Sequence, residues 1–367
     1  MRLHFDDYKG KGGIFSLALN EATKEDLLSE EVSVLCVSDN EIYQYPDKIL
    51  ISAYEKAIEK LRECNNYDVF ELHDDGELVR LYDDTSGDTV FFITEKCNSG
   101  CIMCPSPEAF RRKGNSADIN KLIDVATHMP SDAPHITITG GEPFMIGKDL
   151  FRLLTFCRNK FERTEFLILT NGRVFALKEY CDLLYESIPE RCIIAIPIHG
   201  STEKLHDAIT QTPGSFRQTC IGLKRIQKLG IETEIRIVVN RLNLNNLEEM
   251  AYLIVNSFDK VSYVSIMAME MTGSAFVNSE QVWISYRESI PNVRRAVDVL
   301  VQAGIDVRLY NYPLCIVDNE LRTLCFKSIS EWKRKYAPCC EKCSLRDSCG
   351  GLFGGTYKLE KDELKAF

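Results

Sequence analysis

The chain predicts an α/β protein built on a parallel sheet, on three observations. From residue 89 onward short apolar runs alternate with amphipathic helical stretches, the runs are apolar almost without interruption, and several end in loops rich in glycine, thiol or charged side chains. Strands apolar on both faces need helices over the sheet, and such sheets are parallel. The same periodicity suits a doubly wound sheet or a barrel, and in either one ligands gather at the C-terminal ends of the strands.

Residues 1–88 have a different character. Strand-like runs at VSVLCV (32–37), VFEL (69–72) and ELVRLY (77–82) surround one helical stretch, ISAYEKAIEKLREC (51–64), with turns at DDG (74–76) and DTSGD (84–88). This is a small α+β appendage, read as covering one side of the larger domain, with a peptide-binding module as the alternative. In the main domain, residues 89–304, strands fall at TVFFIT (89–94), HITIT (135–139), FLILT (166–170), CIIAIPI (192–198), TEIRIVV (233–239) and YVSIMAM (263–269). Helices fall at 119–129, 148–161, 216–230 and 247–258, where apolar residues recur at helical spacing. Residues 305–367 form a cysteine-rich extension that opens with a strand, DVRLYNY (306–312), and holds a helix at SISEWKRKYA.

A chain of 367 residues exceeds one ordinary core, and 45% apolar with 27% charged residues is the composition of a globular enzyme. The net charge of −10 argues against a nucleic-acid partner, although Arg111–Lys113 is a local basic patch. The start MRLHFDDYKG has no basic region leading into an apolar one, and no window approaches 18 apolar residues, so a soluble cytoplasmic protein without membrane contact is expected. In such a reducing compartment 15 cysteines point to metal sites before disulfides. Cys36, Cys64, Cys157, Cys181, Cys192 and Cys220 stand singly in apolar or helical contexts and read as packing residues.

Cys97, Cys101 and Cys104 are the exception. They form CxxxCxxC directly after the first main strand, a spacing that chance would supply only about 0.02 times. Three thiolates on one tight loop hold three corners of a [4Fe–4S] cube and leave one iron open. The next loop, TGGEPFM (139–145), pairs Gly140 and Gly141, which admit close backbone approach, with the acceptor Glu142 and the stiffening Pro143. TNGR (170–173) follows the third strand, where Asn171 fits an Asn-Gly turn as well as a ligand contact. IPIHGSTEKLHD (196–207) follows the fourth, and His206 and Asp207 suit a cap on the following helix. Arg236 lies inside the fifth strand, where a charge needs a partner, either an ion pair with Glu142 or Glu234 or a carboxylate ligand. Near the C-terminus, CCEKCSLRDSCGG supplies Cys340, Cys343 and Cys349 at metal spacing. Cys315 is the choice for a fourth ligand because it follows a strand, and Cys325 and Cys339 are alternates. On sequence chemistry zinc or an iron–sulfur cluster would satisfy that site.

CNSGCIMC, followed by GGEP on the next strand, resembles the signature of the radical S-adenosylmethionine (SAM) enzymes. The resemblance implies a partial (β/α)6 TIM-like barrel and a [4Fe–4S] cluster whose open iron chelates SAM. It also implies reductive cleavage of SAM to a 5′-deoxyadenosyl radical. By resemblance Gly140, Gly141, Glu142 and Pro143 bind the methionine amino group, and Met103 and Asn171 face the cofactor or substrate. His199 or Ser201 would meet the ribose, Arg236 the SAM carboxylate, and Met267 to Met269 the adenine. The chain departs from related maturases at Pro197 and His199, where Ser and Asp are common. Its C-terminus looks like a shortened SPASM or twitch extension, which implies an auxiliary [4Fe–4S] cluster on Cys315, Cys340, Cys343 and Cys349. AMEMTGSA (268–275), YNYPLC (310–315) and CEKCSLRDSCGG (340–351) further resemble the radical SAM maturases of His-Xaa-Ser repeat peptides. That likeness implies a precursor peptide or small protein as substrate, a partner maturase, and a flavodoxin or ferredoxin-type electron donor. A radical SAM enzyme acting on a small molecule, or a non-catalytic iron–sulfur or zinc scaffold, are the alternatives.

Overall fold

The computed structural model describes residues 1–6 and 8–367. The N-terminal region folds as a mixed sheet of β1 (Arg2–His4), β2 (Gly13–Ala18), β3 (Val34–Ser38), β4 (Glu41–Tyr45), β5 (Ile49–Ile51), β6 (Val69–Leu72) and β7 (Glu77–Tyr82), in the order β1-β7-β6-β2-β3-β4-β5. Helices Glu21–Ser29 and Glu55–Arg62 accompany it, the first capped by Asn20 accepting from the Thr23 N–H. The helical stretch expected from residue 51 begins only at Glu55. Ile51 belongs instead to β5 and is buried with Ile42 and Ile58 in the core of this unit. Ser16 Oγ donates to the His128 carbonyl at 2.9 Å and the Ser33 N–H to His128 Nε2 at 3.3 Å, which joins this sheet to helix Ile119–His128.

The second sheet has eight strands, β8 (Thr89–Phe92), β9 (His135–Thr139), β10 (Glu165–Leu169), β11 (Cys192–Pro197), β12 (Glu232–Val239), β13 (Val261–Ala268), β14 (Val307–Tyr310) and β15 (Cys325–Phe326). Every pairing is parallel and the order follows the chain without a break. A doubly wound sheet reverses its order at a switch point, and this one never does. Right-handed crossovers that always step the same way put all helices on one face, so the sheet curls with the helices outside. The result is an open TIM-like half-barrel with β8 and β15 at its two edges.

The register explains why the strands were legible. Ile136, Ile138, Ile168, Ile194, Ile196, Ile235, Ile237, Val264 and Ile266 are fully buried in the core between sheet and helices. The alternate positions face the barrel interior and carry the mixed set Thr139, Leu169, Ala195, Pro197, Arg236 and Val238 that lines a cavity at the strand ends. Helix Tyr286–Gln302 was not foreseen, because Pro291 interrupts its pattern. The helix expected at SISEWKRKYA does not form. One 3₁₀ turn, Glu331–Lys333, leads into β16 (Arg334–Lys335), which pairs with β17 (Leu352–Phe353). That stretch has no apolar stripe to bury, since Ile329 is covered while Trp332 is 78% exposed, and Pro338 disfavours helix at Ala337. Among the described residues no helix is long and apolar enough to cross a membrane.

Helix Ser215–Lys228 packs so closely on the loop after β10 that a Cβ at Gly222 would lie 2.2 Å from the Gly172 carbonyl oxygen. Gly222→Ala should therefore cost about 1–3 kcal/mol by overpacking, read as a lower urea midpoint.

Candidate functional site

The loops at the C-terminal ends of β8 to β13 enclose a cavity of about 700 Å³, and Cys97, Cys101 and Cys104 all line it. Their loop has little regular structure and is held by its neighbours. Gly100 and Ile102 N–H donate to the Thr210 and Ile209 carbonyls at 2.9 and 3.0 Å, and Ala275 N–H donates to the Cys104 carbonyl at 3.1 Å. Asn278 Nδ2 donates to the Ile102 carbonyl at 3.0 Å. Arg111 donates to the Ser99 carbonyl at 3.1 Å and to Ser274 Oγ at 2.7 Å. Sequence reading placed Arg111 in a surface basic patch. Only 4% of it is exposed, because its guanidinium reaches inward to brace the thiol loop. Burial pushes the Cys97 thiol up to about 11 and Cys101 to about 12. Ser106 N–H donates to Cys104 Sγ at 3.4 Å.

The glycine pair works by close approach. A Cβ at Gly140 would lie 2.4 Å from the Thr94 carbonyl oxygen and one at Gly141 2.3 Å from that of Lys96. Gly141 and Glu142 N–H donate to those same carbonyls at 2.7 and 2.8 Å, which lays the second loop along the first. Gly140 and Gly141 line the cavity, as does Met103, which also packs on Met269 and Met271. Glu142 is 2% exposed and is not among the residues that line the cavity. Its carboxylate accepts from Phe144 N–H at 3.1 Å, Thr170 Oγ1 at 2.8 Å and Asn171 N–H at 2.7 Å. Burial raises its pKa while those donors oppose the rise. Pro143 is buried at the start of the 3₁₀ turn Pro143–Ile146.

Asn171 lines the cavity and donates from Nδ2 to Asn98 Oδ1 at 2.7 Å. Arg173 reaches the Asn98 carbonyl at 2.7 Å and Ser99 Oγ at 3.1 Å. TNGR is thus a turn that also lines the cavity, and it braces the thiol loop as well, a role the sequence did not reveal.

On the fourth loop His199 lines the cavity, 4% exposed, with its Nδ1 unpartnered. Its backbone N–H donates to His206 Nδ1 at 3.2 Å. Burial holds His199 well below its ordinary 6.5 and His206 down to about 4, so both rings are neutral near pH 7. Ser201 lies outside the cavity lining, with its N–H and Oγ both bonded at 2.8 Å to Asn246. Asp207 caps helix Ser215–Lys228 by accepting from Gly214, Ser215 and Phe216, whereas His206 serves His199 instead. Arg236 lines the cavity with Nε 3.6 Å from Glu234, the ion-pair partner taken in place of Glu142. Arg236 also donates to Met267 Sδ at 3.3 Å, so Met267 supports the guanidinium from outside the lining.

Cys315, Cys340, Cys343 and Cys349 line a second, smaller void. Lys365 N–H donates to Cys315 Sγ, and Leu314 and Gly351 N–H to Cys349 Sγ, each at 3.5 Å. Cys325 and Cys339 lie outside that lining and donate their own S–H to the Leu321 and Leu364 carbonyls at 3.6 Å. Among the described residues no three ligand-type side chains meet at the spacing of a single ion, and the thiols ring open spaces.

Residues 91–254 match the model of the radical SAM superfamily. The subtilosin biosynthesis protein AlbA of Bacillus subtilis is 30% identical over 166 residues, which is 44% of this chain and 35% of AlbA. The GTP 3′,8-cyclase of Petrotoga mobilis is 27% identical over 203 residues, 53% of this chain and 59% of that enzyme. The chain thus spans a third to three fifths of these relatives. Streptococcus suis SuiB, solved with its precursor peptide SuiA, superposes with a TM-score of 0.51 at 14% identity, over 62% of this chain and 49% of SuiB, a likeness of fold.

Two outcomes follow from this geometry. Glu142→Gln turns one acceptor into a donor facing N–H groups, which should lower stability by about 2 kcal/mol in urea unfolding. The two histidines bind protons less readily folded than unfolded, so stability should fall as pH drops from 6.5 to about 4. His206→Asn, which keeps an acceptor for His199 N–H, should make that fall shallower by up to about 3 kcal/mol, read from urea midpoints across the window.

Proposed function

With residues 91–254 a radical SAM domain, we propose that the chain is a radical SAM enzyme that matures a ribosomally made peptide of the His-Xaa-Ser repeat type. The observation that carries the catalytic part is the convergence of three thiols, the Gly140–Gly141 backbone, Asn171, His199 and Arg236 on one cavity. Cys97, Cys101 and Cys104 would hold the [4Fe–4S] cluster, a role that fits a donor set of three cavity-facing sulfurs on one loop. Cluster and SAM, when bound, supply a 5′-deoxyadenosyl radical that takes hydrogen from a substrate carbon. The chain's residues position and shield. The Gly140–Gly141 backbone and Asn171 meet the methionine end, Arg236 fixes the carboxylate, and the unpartnered Nδ1 of neutral His199 accepts from a ribose hydroxyl. Glu142 acts at one remove, by holding Asn171.

The peptide part rests on AlbA, a bacteriocin biosynthesis protein, and on the C-terminal motifs. The second void supports an auxiliary [4Fe–4S] cluster on Cys315, Cys340, Cys343 and Cys349. N–H donors to sulfur suit thiolate ligands of a cluster, while the S–H bonds of Cys325 and Cys339 suit free thiols. A flavodoxin or ferredoxin-type donor in the cytoplasm would supply the electron, and a partner maturase would complete the system.

Anaerobic reconstitution followed by a 5′-deoxyadenosine assay tests the reading, since a filled cluster that yields no product with reductant and SAM sinks it. Cys97→Ala, Cys101→Ala or Cys104→Ala should each abolish cleavage. Cys340→Ala should lower iron from about eight to about four per chain and slow peptide turnover while leaving SAM cleavage in place.

A further inference from the structure

The half-barrel is open at β8, which pairs with β9 on one side and, among the described residues, with no strand on the other. Residues 115–117 cover this edge only past the strand, where Ala117 N–H donates to the Ile93 carbonyl at 2.8 Å. The free stretch is therefore Thr89–Phe92. Its side chains show one covered face and one open face, with Phe91 3% exposed between Val90 at 51% and Phe92 at 52%.

Two spaces meet across that edge. On the inner face lies the thiol-lined cavity, which Val90 and Phe92 border. On the helix-covered face lies a groove of about 500 Å³ between Thr89–Phe91, the turn after β7 and helix Ile119–His128, and Val90 lines this one as well. The groove has an apolar floor of Leu122, Val125 and Met129 under the carboxylates of Asp83, Asp88 and Asp118. Among the described lining residues the cation is Lys121, 2.7 Å from Glu71; outside the lining Arg80 is shared by Asp83 and Asp68, and His135 lies 3.7 Å from Asp88, so carboxylates still outnumber basic groups around the groove. Such a groove suits a lysine or arginine, whose stem lies on apolar surface while its charge reaches the carboxylates. A strand sends successive side chains to opposite faces, so a peptide paired with β8 would put one set in the cavity and the other in the groove.

We propose that the peptide substrate docks as an added strand on Thr89–Phe92, with alternate side chains entering the cavity below the thiols and the intervening basic ones seated against Asp83 and Asp88. This rests on the radical SAM reading of the cavity and adds the conformation and charge of the substrate.

The test uses reconstituted holoenzyme and a fluorescein-labelled decapeptide of alternating Lys and Val, its Glu–Val counterpart, and two N-methylated Lys–Val forms, one methylated at the Lys amides and one at the Val amides. The Lys–Val peptide should bind about tenfold tighter than Glu–Val and slow amide exchange at residues 89–92. Only one methylated form should lose binding, because only one set of amides faces β8. Asp83→Asn with Asp88→Asn should weaken the Lys–Val peptide about tenfold and leave peptide-independent 5′-deoxyadenosine formation unchanged. Equal binding of the Glu–Val peptide, equal behaviour of the two methylated forms, or unchanged exchange at 89–92 overturns the docking mode. Holoenzyme that binds the peptide as described yet never cleaves SAM overturns the catalytic reading alone.

Discussion

The rim of this half-barrel depends on one buried carboxylate. Removing Glu142 from water costs several kcal/mol unless its lone pairs are filled, and Phe144 N–H, Thr170 Oγ1 and Asn171 N–H fill them. Charge-assisted bonds of this kind contribute about 1.5–3 kcal/mol each, enough together to offset the burial. The consequence is geometric, because Glu142 belongs to the second loop and two of its donors belong to the third. The second loop is hydrogen-bonded to Thr94 and Lys96 beside the thiols, and the third reaches back to Asn98 and Ser99 through Asn171 and Arg173. Three loops that share no regular structure thereby become one body.

Topology then decides what that body faces. A sheet whose order never reverses has no central crevice, and its ligand space is the inside of its own curvature. Helices on the outside bury the helix-facing side of each strand in isoleucine and valine, which leaves the inner face free to carry Arg236 and Thr139. Because the curl stops at eight strands without closing, the inner space also keeps an opening along β8. A closed barrel of the same strands would have spent that edge on pairing.

What the sequence made legible follows from distance along the chain. The six main strands stood out because their helix-facing positions are apolar regardless of function, and the thiol triad because its ligands are three and four residues apart. Arg111 was misread because its partner Ser274 lies 163 residues away, and no local pattern marks a buried guanidinium. Glu142 was assigned to the cofactor for the same reason, since its donors come from Thr170 and Asn171 on another loop. Ser201 and Met267 carried ligand chemistry on paper, yet Asn246 and Arg236 occupy them. AMEMTGSA was singled out only as a family likeness. Its physical role is that Gly273 admits the Pro105 carbonyl, a Cβ there lying 2.2 Å from that oxygen, so that Ala275 can bond Cys104.

The two cysteine groups separate by what surrounds the sulfur. At the C-terminal void, backbone N–H groups of Leu314, Gly351 and Lys365 point at Cys349 and Cys315, and backbone amides cannot turn away when the charge on sulfur changes. Such fixed donors would suit ligating sulfur, and four sulfurs around one space would leave a cluster held there no coordination position for a further molecule. At the barrel rim three thiols share their space with a glycine backbone, two histidines and three arginines, groups able to recognise a polar ligand. A cluster held by those three thiols would leave its fourth position facing these groups. The difference between a closed site and an open one is therefore written in the neighbours of the cysteines as much as in their number.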